Sequence, residues 1–299
     1  MPGMEQELDT APPREMAAGM TSALYVVATP MGNLADITLR ALETLKGVNL
    51  IAAEDTRHSQ RLMQQYGITA KMVPVHEHNE ASAVAQILAR LRAGEKVALV
   101  SDAGTPCISD PGARLVAAVQ AAGFPVVPLP GPNAAITALS ASGLDAPHFL
   151  FHGFLPPKPG ARRKVIEGLK AIPAALVFYE APHRIAETVA DLEELLEPER
   201  ELVFARELTK MFETITRIPL AGASAWLAED PNRLRGEFVL IVGPPPAQEG
   251  LDAGAERVLK LLLDDGLPVK QAVKLATDIT GVAKNSLYQR ALELKQTPD

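Results

Sequence analysis

Between residues 95 and 112 the chain reads Glu-Lys-Val-Ala-Leu-Val-Ser-Asp-Ala-Gly-Thr-Pro-Cys-Ile-Ser-Asp-Pro-Gly, and this stretch restricts the fold more than any other. Its apolar run, Val97 to Val100, is uninterrupted and too short for a helix, as in a strand buried on both faces. The run breaks into Ser101, Asp102, Ala103, Gly104, Thr105 and Pro106. Asp110 then stands where an N-cap would, and Pro111 where a first helical residue would, which predicts a helix over 111–122. A strand covered on both sides that feeds a helix fits an open parallel sheet, whose ligands lie beyond the carboxyl ends of the strands. Ala103 and Gly104 leave the backbone bare enough for a ligand to lie against it. An ordinary strand–loop–helix corner would carry the same residues.

The same unit recurs along the first half. Leu24 to Ala28 reads as a strand that ends in Thr-Pro-Met-Gly-Asn. Val48 to Ala53 reads as another, ending in Glu54-Asp55-Thr56-Arg57. Weaker strands fall at 72–75 and 126–127, and helices fill the intervals, including one over 80–93 and a small-residue helix over 134–142. This alternation with short loops predicts a mainly parallel sheet wrapped by helices over residues 23–145. Ser142-Gly143-Leu144-Asp145-Ala146-Pro147 marks the boundary. From 146 to 243 the strands follow one another with fewer helices, which predicts an α/β domain with a mixed sheet. Gly243-Pro-Pro-Pro opens a linker over 244–254, and 255–299 reads as helices around Gly281. That last pattern suits a helix-turn-helix as well as a helical hairpin used only for packing. Residues 1–22 carry no apolar core segment and read as a disordered tail.

Composition narrows the function. The single cysteine, Cys107, excludes an internal disulfide framework and fits a reducing cytoplasm. A net charge of −7 argues against a generally basic, nucleic-acid-coating protein. No apolar stretch is long enough to span a membrane. His58, His76 and His78 lack the spacing or the cysteine partners of a zinc site, so no metal is expected.

The loops carry the chemistry. The turn after the first strand has one glycine where a dinucleotide fold has three, and no Gly-Lys-Ser/Thr phosphate loop occurs. Instead Thr-Pro at 29–30, Gly-Thr-Pro at 104–106 and Tyr-Glu-Ala-Pro at 179–182 each follow a strand. With Asp55, Asp102, Glu180 and Glu207 nearby, three such ends would suit a neutral-to-cationic ligand with a hydroxylated ribose. Residues 154–164 put Lys158, Arg162, Arg163 and Lys164 within seven positions among prolines, the composition of an extended phosphate-contacting arm or of a solvated charge run.

Six motifs in order resemble the ribosomal-RNA branch of the tetrapyrrole methylase family. They are Leu-Tyr-Val-Val-Ala-Thr-Pro-Met-Gly-Asn-Leu-Ala-Asp-Ile-Thr, Glu-Asp-Thr-Arg, Ser-Asp-Ala-Gly-Thr-Pro-Cys-Ile-Ser-Asp-Pro-Gly, Pro-Gly-Pro-Asn-Ala-Ala, Tyr-Glu-Ala-Pro-His-Arg and Arg-Glu-Leu-Thr-Lys-Met-Phe-Glu. The likeness covers about residues 23–243, and the helical tail resembles the helix-turn-helix appendage of that branch. It implies two α/β domains with S-adenosylmethionine in the cleft between them. It also implies 2′-O-methylation of a cytidine in the decoding region of 16S rRNA of the small ribosomal subunit, and a homodimer. By position, Pro30 matches the first ligand loop; Asp102, Ala103, Gly104, Thr105 and Ile108 match the second; Asn133 and Ala134 match the third. Glu180, Glu207 and Leu208 fall where the family lines the cofactor from its second domain.

On this reading Asp55 is the first candidate for the base at the ribose hydroxyl and His76 the second. Lys158, Arg162, Arg163, Lys164 and Arg57 would hold RNA phosphates. The glycine-rich loops of the porphyrin-acting branch are replaced here by Thr-Pro-Met-Gly-Asn and Ser-Asp-Ala-Gly-Thr-Pro, which speaks against a corrin-type substrate. Two rivals remain at this point: a methylase of a small macrocycle, and a non-catalytic RNA-binding assembly factor.

Overall fold

A computed structural model describes residues 22–76, 79–246 and 253–296. Residues 1–21 of the segment read as a tail, His78 and most of the segment read as a linker lie outside these. The chain forms two compact units, one ending at Pro245 and one beginning at Pro246.

The larger unit holds two five-stranded sheets. The first is built from β1 (Leu24–Val27), β2 (Leu50–Ala53), β3 (Lys71–Pro74), β4 (Val97–Val100) and β5 (Val126–Leu129). Their order is β3-β2-β4-β1-β5, and every pair is parallel. Strand residues alternate between two cores. Tyr25, Val27, Ile51, Ala53, Ala98 and Val100 meet α1 (Leu39–Gly47) and α2 (Thr56–Gln65) through Ala41, Leu45, Leu62 and Met63. Leu24, Leu50, Val97 and Leu99 meet α3 (Glu80–Arg92) and α4 (Ala113–Ala121) through Ile87, Leu91, Leu115 and Val119. Two apolar faces explain why β2 and β4 read as unbroken apolar runs rather than alternating ones.

α4 starts later than its sequence suggests. Its N-cap is Gly112, at φ 127°, and neither Asp110 nor Pro111 is helical. A Cβ at Gly112 would stand 2.8 Å from a Leu99 methyl and 3.0 Å from the Cys107 sulfur, so glycine alone fits both the space and the backbone angle. Asp110 is thereby freed from capping.

The second sheet runs β6-β7-β10-β8-β9, from β6 (Phe149–Phe154), β7 (Ala175–Glu180), β8 (Glu201–Arg206), β9 (Thr214–Pro219) and β10 (Phe238–Val242). Only β6 and β7 are parallel, so the sheet is mixed, as expected. One face packs on α6 (Pro159–Leu169), α7 (Ile185–Leu195) and α8 (Ala223–Ala228). The other takes α5 (Ala134–Ala141), whose Ala135 and Ala138 bury against Ala175, Val177, Val203, Val239 and Ile241. A helix that follows the last strand of the first half thus covers the sheet of the second.

α6 corrects the reading of 154–164 as an extended arm. Pro159 is its first residue, a position where proline costs no hydrogen bond. Arg162 points inward one turn before Ile166 and is 2% exposed. Its Nε donates to Asp191 at 2.5 Å, and its Nη2 lies 3.4 Å from Glu187. Arg163 pairs with Asp191 and Glu194 on α7. A buried arginine held by ion pairs is no arm for RNA; of this group only Lys158 and Lys164 are exposed and make no ion pair among the described residues.

In the smaller unit α9 (Ala253–Asp264), α10 (Val269–Thr280) and α11 (Lys284–Gln296) enclose Leu259, Val273, Ala276 and Leu287. Gly281 closes α10 in the left-handed conformation. No helix among the described residues is long and apolar enough to cross a membrane.

Removing Arg162 leaves Asp191 in a largely buried position without its main counter-charge. Arg162→Ala is expected to lower unfolding stability by about 3–5 kcal/mol, read as a lower urea midpoint at unchanged slope. Arg163→Ala is expected to cost a small fraction of that.

Candidate functional site

The chain leaves β1 toward the α1/α2 face and leaves β4 toward the α3/α4 face, although the two strands are neighbours. Adjacent strands whose connections part in this way open a crevice at their carboxyl ends. Here the crevice is tied shut at its base. Thr29 N–H donates to Gly104 O at 2.8 Å, and Gly104 N–H donates to Thr29 O at 2.9 Å. The Thr29 hydroxyl donates to Ser101 O, and the Thr105 hydroxyl donates to Pro132 O in the loop after β5. Gly104 takes φ 81°, a conformation its position requires.

Above this base lies a cavity of about 430 Å³. The first half supplies Asp102, Ala103, Gly104, Thr105, Ile108, Asn133 and Ala134; the second supplies Tyr179, Glu180, Ala181, Pro182, Ala205 and Leu208. The loops after β4 and β7 therefore converge, as their shared pattern suggests. Cys107 and Ser109, beside Ile108, hold positive φ angles of 71° and 64°. Strain of this kind persists where the surroundings over-determine a loop.

Five carboxylates line the cavity: Glu54, Asp102, Asp110, Glu180 and Glu237. Asp102 Oδ1 accepts from Asp55 N–H at 3.1 Å, and Asp102 N–H donates to Glu54 Oε2 at 3.4 Å. Burial pushes Asp110 up to about 6; the charges of Glu54 and Asp102 add to this, and a hydrogen bond from Ser101 opposes it. Burial also raises Glu54. No lysine or arginine lines the cavity among the described residues. An acidic, partly enclosed wall of this kind favours a ligand that carries positive charge.

A second cavity, of about 460 Å³, meets the first along Met31, Asp102, Ala103 and Glu237. Pro30 lines this one and not the first. So do Arg57, His58, Arg61 and Lys210.

Other expected site residues have different work. The Glu180 carboxylate is spent within the protein: it accepts from Thr188 at 2.6 Å and from Ala181 N–H at 2.8 Å, and faces Arg184 at 3.3 Å. Its place in the cavity wall is structural. Glu207 is not in the wall. It accepts from Glu237 N–H and pairs with Lys210 at 2.8 Å, and although burial works to raise it, these partners hold its carboxyl below the usual range. Asp55 is the N-cap of α2 and is clasped by Arg57 at 2.7 Å. That hydrogen-bonded pair holds its carboxyl well below the usual range, so it is a poor proton acceptor, and it lines neither cavity. His76 follows the edge strand β3, where its N–H donates to Asn79, and it too lies off both cavities.

Sequence reasoning passed over Glu54 and Asp110. Glu54 sits one residue before Asp55, and at a strand end neighbouring side chains point to opposite sides, so only one of the two faces the ligand. Asp110 was assigned to capping. Tyr179 was also missed; its hydroxyl accepts from Ala135 N–H at 3.3 Å and its ring meets Phe151 and Phe154 edge-on.

Comparison with known proteins agrees with this geometry. The family model for tetrapyrrole (corrin/porphyrin) methylases matches residues 23–223. A second model, for an RsmI C-terminal HTH domain, matches residues 249–295. The ribosomal RNA small subunit methyltransferase I of Pseudomonas aeruginosa is 52% identical over 281 residues, 93% of this chain and 98% of its own. The protein of the same name from Escherichia coli is 52% identical over 90% of this chain and 94% of its own. Among solved structures, the methyltransferase CobJ aligns with a TM-score of 0.57 at 22% identity, over 75% of this chain and 94% of its own. A uroporphyrin-III C-methyltransferase from Thermus thermophilus, solved with S-adenosyl homocysteine, aligns at 0.53 and 20% identity, over 74% and 97%; at such identities the likeness shows the fold. The chain belongs to the tetrapyrrole methylase family, within its group of ribosomal RNA small subunit methyltransferase I proteins.

Asp110 makes a testable contribution to stability. Its folded value, about 6, lies above the value near 3.9 of an unfolded aspartate. The folded chain therefore holds that proton more tightly, and stability from this group is lost as pH rises from about 4 through about 6. Asp110→Asn is expected to gain stability relative to the parent across that window, by on the order of 1 kcal/mol after solvent screening. Paired melting curves at pH 4, 5, 6 and 7 check this; a difference that does not change with pH would contradict it.

Proposed function

We propose that this chain transfers the methyl group of S-adenosylmethionine to the ribose 2′-hydroxyl of a cytidine in the decoding region of 16S rRNA. The observation that carries the reading is the acidic cavity at the parting of β1 and β4, closed from above by the second half of the chain. Its volume falls within the roughly 300–1,000 Å³ of small-molecule sites. The residues present fit the donor: bare backbone at Ala103 and Gly104 for close approach, carboxylates for its hydroxyl and ammonium groups, and, among the described residues, no lysine or arginine in the wall to oppose its charge. When bound, S-adenosylmethionine supplies an electrophilic methyl group on a positively charged sulfur.

The protein's own task is chiefly positioning. Holding the ribose hydroxyl roughly 3–3.5 Å from the carbon it attacks supplies much of the rate. Asp102 is held by the backbone of Asp55 and by Glu54, so it presents a fixed acceptor to the donor. Asp110, raised to about 6, is suited to take up the proton of the hydroxyl in place of Asp55. The relatives' names carry the choice of small-subunit rRNA, and the likeness of motifs carries the cytidine ribose. Pairing into a homodimer and a cytoplasmic place belong to the same reading.

Calorimetric titration of the purified chain with S-adenosylmethionine is expected to give one site per chain. Asp102→Ala is expected to weaken it by about 10- to 100-fold, the loss of one hydrogen bond to a charged group. Mapping ribose methylation in 16S rRNA from cells with and without the protein is expected to show one cytidine that loses its 2′-O-methyl group. No affinity for the donor would point to an RNA-binding factor without catalysis. Methylation of free tetrapyrrole but not of rRNA would point to a small-molecule methylase.

A further inference from the structure

We propose that the second cavity receives the acceptor nucleotide of single-stranded RNA, with neighbouring phosphates held by Arg57 and Arg61. This rests on the reading of the first cavity as the donor site.

The two cavities are of similar size but differ in charge. The donor cavity has five carboxylates in its wall and no lysine or arginine among the described residues, whereas the second shares only Asp102 and Glu237 of these and adds Arg57, Arg61 and Lys210. They meet along Met31, Asp102, Ala103 and Glu237, which makes the second cavity the neighbouring space for an acceptor. Arg57 and Arg61 are one helical turn apart on α2 and share a face. Arg57 gives Nε and Nη2 to Asp55, which leaves Nη1 without a partner on a side chain 89% exposed. Arg61 is exposed and makes no ion pair among the described residues. In a chain of net charge −7, an unpaired guanidinium at a cavity mouth is suited to a phosphate.

The far wall is built to stay in place. Lys210 packs on Gly32, where any Cβ would overlap its Cγ, and its Nζ is pinned between Glu207 at 2.8 Å and Glu237 at 2.9 Å. It therefore shapes the cavity and is not free to follow a ligand. The two residues after it, Met211 and Phe212, are 90% and 68% exposed. A base inside a duplex cannot enter such a recess, whereas an unstacked one can, and its displaced neighbours gain from apolar and aromatic surfaces of this kind.

The test uses the full chain with a single-stranded transcript of the 16S decoding region. Fluorescence anisotropy from 50 to 200 mM salt reads RNA affinity, and calorimetry reads S-adenosylmethionine affinity on the same samples. Arg57→Ala with Arg61→Ala is expected to weaken RNA at least tenfold and to leave donor affinity within twofold. Its salt slope is expected to be shallower by about 1.4, two single-strand phosphate contacts at about 0.7 each. Lys158→Glu with Lys164→Glu, at the N-cap and in the first turns of α6, serves as the comparison and is expected to change the slope less. RNA affinity and slope equal to the parent's, or a larger loss from the α6 pair, would overturn the proposal. Should the double variant also lose the donor, Arg61→Glu alone decides, because it breaks no ion pair: parental RNA affinity in that variant overturns the proposal, and a tenfold loss supports it. If the unaltered chain itself fails to bind S-adenosylmethionine, the donor reading falls, while the arginine effect on RNA is still read separately.

Discussion

Two backbone hydrogen bonds between Thr29 and Gly104 hold the rest together. They join the loops of two parallel strands at the point where those strands send the chain to opposite faces of the sheet. Without them the loops would have no reason to stay close, since each leads to a different layer of helices. With them, the Ser101–Pro106 turn is fixed from beneath, Thr105 reaches the loop after β5, and Asp102 is delivered beside Glu54. The requirement for φ 81° at residue 104 and for small side chains around it follows from this one junction.

Charge is sorted across the site rather than spread through it. Carboxylates gather where a sulfonium would lie, and guanidinium groups gather one wall away. Arginines on two helices are put to different use by the fold. Arg162 and Arg163 neutralise Asp191 and Glu194 and so fasten α6 to α7, whereas Arg57 and Arg61 face solvent.

Much of the architecture was legible because the apolar runs at 24–27, 50–53 and 97–100 are short, unbroken and each followed by a polar break. The turns after β4 and β7 were read correctly as converging. What failed did so for identifiable reasons. α6 was hidden because its inward position at 162 is an arginine, so the apolar periodicity that announces a helix is interrupted where the buried charge sits. Asp110 was misread because Asp-Pro is a strong helix-start signal, while the close approach of Gly112 to Leu99 moved the start two residues on. Asp55 was preferred over Glu54 because both stand in one motif, and only the side to which the strand end turns separates them. His76 was chosen for its chemistry alone, and chemistry without location does not make a site.

The position of α5 has a consequence for how the larger unit comes apart. This helix follows the first sheet in the chain yet covers the inner face of the second. Cutting the chain at the boundary near residue 145 would separate α5 from the strands it shields and expose Val177, Val203 and Ile241 to water. Neither half is then a self-sufficient folding module, and the two sheets are expected to melt in a single cooperative transition rather than one after the other.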